Sequence, residues 1–573
     1  MAALYCMILS GKGAAPGAAV GSIFIYNDKY IIPAETFIEE GQEQSHLDKY
    51  FSVRKLAFEE LEKIRLSMQK IDPSKADIFK AHQEIVEDII ITEEIPAKIL
   101  NDRWAGDWAI YQVYETVLTV LKQTSDPLIS ERAVDFDDVR ALLLKLWYGQ
   151  NESPLASLKE PVIIASRQLK PSDTAGLNRD NVLAILTEEG GITSHTAIIA
   201  KSYGIPAVLG IEGLLGFVSQ GQLAAVNATE GTVILDPGEA QTGEYKRKTC
   251  DYHRDRTETE TFRKGEAYTS CGQKIEIGVN ISGANNDELY AENYTDCAGL
   301  FRTEFLYIGR NTLPTEEEQF AVYRKVLETF GKKNVILRTL DIGGDKQLPG
   351  LDYKSEENPF LGNRAIRFCF SNPDIFLTQI KAALRASVYG NLWLMFPMVS
   401  SLDDINTAKD FTEQAKDELK KEGKEFAEVK TGIMIEIPSI ALLSDITVNK
   451  VDFASIGSND LCQYMCAADR INSAVESYYQ SYHPAMFRII KNVIEPFNNA
   501  GKPISICGEL GGDPLASPLL IGLGLRKLSM GAASVAGVKR AVASVSVAEA
   551  QEIAERVLQF STAAEVERFL SRA

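Results

Sequence analysis

His195 stands directly after Gly190, Gly191 and the small polar pair Thr193 and Ser194, and an amphipathic helical pattern begins immediately behind it. A helix start of this kind turns backbone N–H groups toward an anion lying beside the imidazole. A neutral imidazole is a competent nucleophile near pH 7, so a phosphoryl group carried on the ring would be stabilised there. A histidine that merely caps a helix would present the same string. A second set of residues lies far along the chain: Arg302, Arg338, Glu436, Asn459, Asp460 and Cys507 each fall within a few residues of the end of a short apolar run. Arginine forks suit phosphate and carboxylate, while Glu436 and Asp460 are hard oxygen ligands for magnesium, which takes few carboxylates plus substrate oxygens. The implied ligand is a small phosphorylated acid. Singly, each of these residues has a structural ion pair as its alternative; the joint placement points to chemistry.

Other chemistries find no support. The five histidines (His46, His82, His195, His253, His483) have no zinc-type spacing, and none of the eight cysteines forms a CxxC pair. The four Gly-Lys pairs are followed by Gly13, Lys333, Glu425 and Pro503, so no Walker-type phosphate loop is present. With 79 acidic against 60 basic side chains and a net charge of -19, the chain is a poor general binder of nucleic acid or anionic membrane. Any phosphate site must be local. The greasy stretch from Leu519 to Val538 is interrupted by Arg526 and Lys527, and Met1 to Leu9 lacks the positive charge of a secretory leader. Sparse cysteines and these absences lead us to expect a protein of the reducing cytoplasm.

At 573 residues, two to four domains are expected. After a strand-like run at Ser22–Tyr26 the next ones come only at Val162–Ala165 and Val182–Leu186, and strands resume through Ala207–Leu209, Leu223–Val226 and Thr232–Leu235. Between the first two of these runs, Ile78, Phe79, His82, Ile85, Val86, Ile89 and Ile90 recur at helical spacing, as do Ile110, Tyr111, Tyr114, Val117, Leu118 and Leu121. The pattern predicts an all-helical insert within a small α/β domain that ends near Asp236, Pro237 and Gly238. A charge-dense, aliphatic-poor segment from Glu244 to Glu266 reads as a solvated helical linker. Beyond it, eight short apolar runs (Ile275–Ile281, Gly299–Phe301, Val335–Leu337, Leu392–Phe396, Gly432–Ile435, Phe453–Ile456, Ile504–Ile506, Leu528–Met530) alternate with helix-length segments. This predicts a (β/α)8 barrel, whose chemistry sits at the C-terminal strand ends.

The string GGITSHTAIIAKSYGIPAVLG around His195 resembles the phosphohistidine motif shared by Enzyme I of the phosphoenolpyruvate-dependent sugar phosphotransferase system, phosphoenolpyruvate synthase and pyruvate phosphate dikinase. GLFRTEFLY, LRTLDIGGDK, ENPFLGNRAIR, IMIEIPS, FASIGSNDLCQY and ICGELGGD resemble the Enzyme I family most closely, and together the strings span nearly the whole chain. The synthase and dikinase, the alternative reading, need an ATP-grasp region ahead of the histidine domain, for which no room is expected here. The insert is similar to the family's docking domain for the phosphocarrier protein HPr around FKAHQEIVED and SERAVDFDDV. This chain departs from the family's usual strings at Ala15-Pro16-Gly17, at Gln168 to Ser172 and at Asn363, none of which is assigned to the chemistry.

The resemblance implies an α/β multidomain protein. Residues 1–34 and 155–240 would be the phosphohistidine domain, 35–154 the helical HPr-binding domain, 241–267 a linker, and 268–573 the phosphoenolpyruvate-binding barrel. It implies that His195 accepts the phosphoryl group, with Thr174 orienting its ring, and that Arg302, Arg338, Lys346, Asn459 and Arg470 hold phosphoenolpyruvate. Glu436 and Asp460 would hold Mg2+, and Cys507 would protonate the leaving enolpyruvate. His82 is carried as a residue that either contacts HPr or fills a helix face. A homodimer through the barrel and a swivelling histidine domain, hinged near Pro237, Gly238 and the linker, are further implications.

Overall fold

The computed structural model describes the chain apart from residues 1–6, 27–30, 70–72, 124–126, 150–154, 156–157, 171–172, 174–176, 178–180, 192–193, 309, 311, 344–355, 471 and 573. It divides into two compact units, Met1–Asp255 and Arg256–Ala573. No helix among the described residues is long and apolar enough to cross a membrane.

The first unit holds one eight-stranded sheet: β1 (Met7–Ser10), β2 (Lys12–Ala15), β3 (Ala18–Tyr26), β4 (Val162–Ser166), β5 (Val182–Thr187), β6 (Ala207–Leu209), β7 (Leu223–Asn227) and β8 (Thr232–Leu235). Their spatial order is β1-β8-β7-β3-β4-β5-β6-β2. β3 runs parallel to β4 and antiparallel to β7, so the strand before the insert and the strand after it are hydrogen-bonded neighbours. The sheet is thereby continuous across the inserted helices. β1 and β2 went unread in the sequence, where Met7 to Leu9 counted only as part of an apolar N-terminal stretch. Met7 pairs antiparallel with Leu235 and Ser10 with Thr232. Gly231, at φ +69, lets this edge close: a Cβ there would lie 2.3 Å from the Gly11 carbonyl oxygen.

Among the described residues between β3 and β4 run five helices: α1 (Glu43–Gln69), α2 (Pro73–Val86), α3 (Ile89–Asn101), α4 (Gly106–Gln123) and α5 (Pro127–Trp147). Tyr50, Val53, Ala57, Leu61 and Ile64 of α1 form a buried stripe at spacings of three and four, joined by Ile91, Ile95 and Ile99 of α3 and by Ile110, Tyr114 and Leu118 of α4. The predicted stripe from Ile78 to Ile90 is broken in two. Asp88 accepts hydrogen bonds from the Ile90 and Ile91 N–H groups at 2.9 and 3.4 Å and starts α3 anew, leaving Ile89 and Ile90 exposed. α6 (His195–Tyr203) follows β5, and the charged segment forms one helix, α7 (Glu239–Thr261).

The second unit is a closed barrel of eight parallel strands: β9 (Glu276–Ile281), β10 (Cys297–Phe301), β11 (Asn334–Arg338), β12 (Asn391–Phe396), β13 (Lys430–Ile435), β14 (Phe453–Gly457), β15 (Ile504–Cys507) and β16 (Lys527–Met530). β16 closes back on β9, with Leu528 opposite Ile277. Strands such as CAGLF and FASIG are buried on both faces, which is why they read as unbroken apolar runs. α8 (Ser458–Cys466) follows β14 directly. In α9 (Val535–Ala543), the buried Lys539 ammonium donates to the carbonyls of Arg263, Gly265 and Tyr294 at 2.8, 2.5 and 2.6 Å, fastening the segment after α7 onto the barrel.

Candidate active site

The C-terminal strand ends of the barrel converge on one cavity. Arg302 follows β10, Arg338 ends β11, Glu436 follows β13, Asn459 and Asp460 open α8, and Cys507 ends β15; all of them, with Arg470, line that cavity. Seven of the sequence-predicted residues are therefore brought together. Lys346 and Thr174 lie outside the described residues.

The arginines differ in how far they are already engaged. Arg338 donates from Nη2 to Glu304 Oε1 at 2.7 Å and pairs through Nη1 with Asp341 Oδ2 at 3.0 Å. Arg364, also lining the cavity, reaches Asp341 at 3.0 Å and Asp460 at 3.4 Å. Arg302 makes no ion pair among the described residues, and its buried Nε has no hydrogen-bond partner there. Burial, and then the neighbouring Arg338 charge, hold its guanidinium below the usual arginine range. An incoming anion would relieve that repulsion, so Arg302 is the open fork of the site.

Glu436 is almost fully buried, and one of its oxygens accepts the Met398 N–H at 2.6 Å. Met398 adopts φ +53, a strained conformation for a non-glycine residue. The other oxygen, Oε2, has no partner among the described residues, and Gly457 leaves it room, since a Cβ there would come within 2.7 Å of it. Burial and the carboxylates of Asp460 and Asp341 push the Glu436 pKa up to about 8. An orphaned, partly neutralised carboxyl beside Asp460 fits a divalent oxygen-liganded cation, which would complete both. Two carboxylates suit a magnesium-type ion that takes its other ligands from water and substrate. They would not make an all-protein metal cage, and no cluster of three such side chains occurs among the described residues.

Cys507 is 2% exposed, and its thiol donates to the Ile456 carbonyl at 3.5 Å. Burial raises its pKa while Ser455, Arg338 and Arg302 pull the other way, and the net shift is upward. The sulfur is thus a thiol at neutral pH, the form a proton donor needs. Asn459 Oδ1 accepts the Glu509 N–H at 2.9 Å, which leaves its amide N–H groups for a ligand.

Three participants in this network had no assigned role in the sequence reading: Glu304, Asp341 and Arg364. Arg364 was within reach, because it stands inside the quoted string ENPFLGNRAIR. Glu304 and Asp341 likewise stand inside the quoted strings GLFRTEFLY and LRTLDIGGDK, but nothing local marks their pairing with Arg338, which follows from β10 and β11 being adjacent in the barrel.

In the first unit, His195 is the first residue of α6, and the cap is Ser194, whose hydroxyl accepts the Ala197 N–H at 3.3 Å. The capping role is therefore filled by the serine. Gly190, at φ +105, makes the turn out of the β5 loop. His82 of α2 is fully buried, with Nε2 3.1 Å from Asp135 and Nδ1 3.6 Å from Asp138, both on α5. Its ring is turned into the helical core and offers no surface to a partner.

Three family models match successive stretches: PEP-utilising enzyme, N-terminal, over residues 10–132; PEP-utilising enzyme, mobile domain, over 158–231; and PEP-utilising enzyme, PEP-binding domain, over 256–547. The phosphoenolpyruvate-protein phosphotransferase of Staphylococcus carnosus is 40% identical over 562 residues, covering 97% of both chains. That of Bacillus subtilis is 38% identical over 565 residues, covering 98% of this chain and 99% of its own. A solution structure of an Enzyme I protein is 34% identical over 43% of this chain and 99% of that one, with a TM-score of 0.38. Identity at this level runs the length of both curated relatives, and the barrel model alone takes in more than half of the sequence, so the chain belongs to the phosphoenolpyruvate-protein phosphotransferase family.

Proposed function

We propose that this chain transfers the phosphoryl group of phosphoenolpyruvate first to its own His195 and then to a histidine of HPr, the opening step of sugar uptake by the phosphotransferase system. The observation that carries the reading is the joining, in one barrel cavity, of an arginine without an ion pair among the described residues, Arg302, a buried protonated thiol, Cys507, and a Glu436 oxygen without a hydrogen-bond partner among them.

Arg302, Arg338 and Arg470, with Lys346 and the Asn459 amide, would hold the phosphate and carboxylate. Four arginines (Arg302, Arg338, Arg364, Arg470) already face four carboxylates (Glu304, Asp341, Glu436, Asp460). A multiply charged anion bound in this cavity adds negative charge beside Glu436 and Asp460, which favours a divalent cation as companion. Mg2+ bound by Glu436 and Asp460 would supply charge neutralisation for the phosphoryl oxygens. The P–O bond to the enolate breaks as the bond to an imidazole nitrogen of His195 forms. Cys507 then gives its proton to the enolate C3, releasing pyruvate. Thr174 would orient the His195 ring.

The domain roles follow from this reading: residues 1–34 and 155–240 carry the phosphohistidine, 35–154 dock HPr, 241–267 link, and 268–573 bind phosphoenolpyruvate. Because His195 must meet donor and carrier in turn, the histidine domain swivels about Pro237, Gly238 and the linker. Asp236, in the left-handed region at φ +50 just ahead of Pro237, supports a hinge there. We also propose a cytoplasmic homodimer formed through the barrel, whose surface exposes Leu442, Leu443 and Ile446. The synthase or dikinase alternative is not retained, since the curated relatives carry the phosphotransferase name over their full length.

The test is incubation with labelled phosphoenolpyruvate and magnesium, comparing the intact chain with His195→Ala. Acid-labile, base-stable label on the intact chain alone is expected. Equal labelling of the two chains, or labelling that requires ATP, would overturn the reading.

A further inference from the structure

The helix that delivers Asn459 and Asp460 to the cavity, α8, also carries two cysteines one turn apart. The sulfurs of Cys462 and Cys466 lie 4.0 Å from each other. Cys462 is buried, whereas Cys466 is half-buried and lines a surface groove with Met465, Tyr478, His483 and Met486. A small oxidant therefore meets Cys466 first. On a regular helix, residues four apart have Cα atoms about 6.2 Å apart, given a rise of about 1.5 Å and a radius of about 2.3 Å. That lies within the span of about 4.4–6.8 Å that disulfides accept. The Cβ atoms, about 5–6 Å apart on a helix, must come in to about 3.5–4.5 Å, so closing the pair must draw in one end of the helix.

The end that can yield is the last turn. Cys466 is the final helical residue, and Ala467 after it is already left-handed, at φ 49 and ψ 40. A cavity residue hangs from the same turn. Gln463 Oε1 accepts the Arg470 N–H at 3.2 Å, and Arg470 Nη1 stands 3.8 Å from Asp460 Oδ2.

We propose that Cys462 and Cys466 form a reversible dithiol–disulfide pair whose closure draws in the last turn of α8 and unseats Arg470 from the substrate cavity. With hydrogen peroxide as the oxidant, the Cys466 thiolate attacks one oxygen, the O–O bond breaks, and a sulfenic acid and hydroxide result. The Cys462 sulfur then displaces the sulfenic oxygen as water, forming the S–S bond. Two electrons pass from the two sulfurs to the peroxide, and a thiol reductant reverses the change by exchange. A transient disulfide of this kind is the form expected in a reducing compartment. The effect on substrate rests on the reading of Arg470 as a phosphoenolpyruvate ligand; the cross-link does not.

The full chain is treated with hydrogen peroxide, alkylated with iodoacetamide and digested, and the KM for phosphoenolpyruvate is measured on the same samples. Expected is a peptide holding both cysteines, lighter by two hydrogens and unalkylated. A rise in KM of about tenfold should accompany it, the scale of losing one charge-assisted contact, and dithiothreitol should restore both. Neither Cys466→Ser nor Cys462→Ser should show the KM rise. Any peroxide loss left in those variants belongs to Cys507 and falls on kcat. The proposal is overturned if both cysteines remain separately alkylatable once the exposed Cys250 and Cys271 have reacted, or if the cross-linked chain keeps its reduced-state KM. If the reduced chain takes no phosphoryl group at all, the proposed function fails, while the mass measurement still decides the cross-link.

Discussion

Arg338 and Glu304 form a buried pair, 2.7 Å from Nη2 to Oε1, at the ends of adjacent barrel strands. Glu304 occupies one edge of the guanidinium and Asp341 another, so the Arg338 guanidinium is already fixed in direction. Arg302 beside it has no such anchor among the described residues and supplies the unbalanced charge. The site thus divides the work between a positioned arginine and a free one, which is how a cavity can orient an anion as well as attract it.

Glu304→Ala should therefore act on stability and binding together. Removing one partner of a buried pair strands the other charge, and with Asp341 still in place we expect a loss of about 3 kcal/mol, the low end for such a change. The KM for phosphoenolpyruvate should rise as Arg338 turns away, and Glu304→Gln, which keeps an oxygen acceptor, should show less of both. Urea denaturation with steady-state kinetics checks this. An unchanged midpoint in Glu304→Ala would mean that Asp341 alone holds the arginine.

Cys507→Ala is expected to leave the fold intact, since it trims a small buried side chain, but to slow pyruvate formation by about 10²–10⁴-fold, the usual contribution of a positioned acid. Proton delivery to C3 should also lose its facial preference. With phosphoenolpyruvate stereospecifically tritiated at C3 and the reaction run in deuterated water, the intact chain should give a pyruvate methyl group of one chirality and the variant a racemic one. Defined labelling in Cys507→Ala would remove the thiol from the proton path.

What could be read in advance depended on whether the information was local. All eight barrel strands were legible because strands covered on both faces appear as apolar runs such as FASIG and ISIC, and the residues ending them followed from barrel geometry. β1 was not, because its partner Thr232–Leu235 lies more than two hundred residues away and four residues of strand carry little periodicity. The break at Glu87 and Asp88 was missed because an apolar stripe at helical spacing continues across it, and only the Asp88 cap marks the new start. The engagement of Arg338 was equally invisible: an arginine at a strand end looks the same whether a substrate or Glu304 awaits it.

Glu436 gives the pH dependence of cation binding. With its pKa pushed up to about 8, it must release a proton before it can serve as a ligand. Apparent magnesium affinity should rise about tenfold per pH unit up to about 8 and level off above, as for any ligand that must deprotonate. The folded state holds this proton more tightly than the unfolded chain, whose reference is 4.5, so the stabilisation is complete below 4.5 and declines as pH rises toward about 8. Magnesium should accordingly raise the Tm more at pH 8 than at pH 6. Calorimetric titration in two buffers of different ionisation enthalpy would reveal the released proton. Equal affinity at pH 6 and pH 8 would show that Glu436 is not a ligand.

His82 should give the helical insert a pH dependence of its own. Burial pushes its pKa down, but the hydrogen bond from the ring to Asp135 and the charges of Asp138 and Asp135 outweigh it, and the net shift is upward from 6.5. A histidine whose folded pKa is raised contributes stability that is fully present below the unfolded value and is lost as pH rises through the folded one. Protonated, the ring ties α2 to both aspartates of α5; neutral, it can donate to only one of them. Amide hydrogen exchange in α2 and α5 should accelerate as the pH is raised from 6 to 9 by more than the intrinsic chemistry requires, and His82→Gln should abolish that excess while exchange in the barrel is unaffected. If the variant retained the same excess, the pH response would have to come from other groups, and His82 would be a packed ring with no titration linked to the stability of the insert.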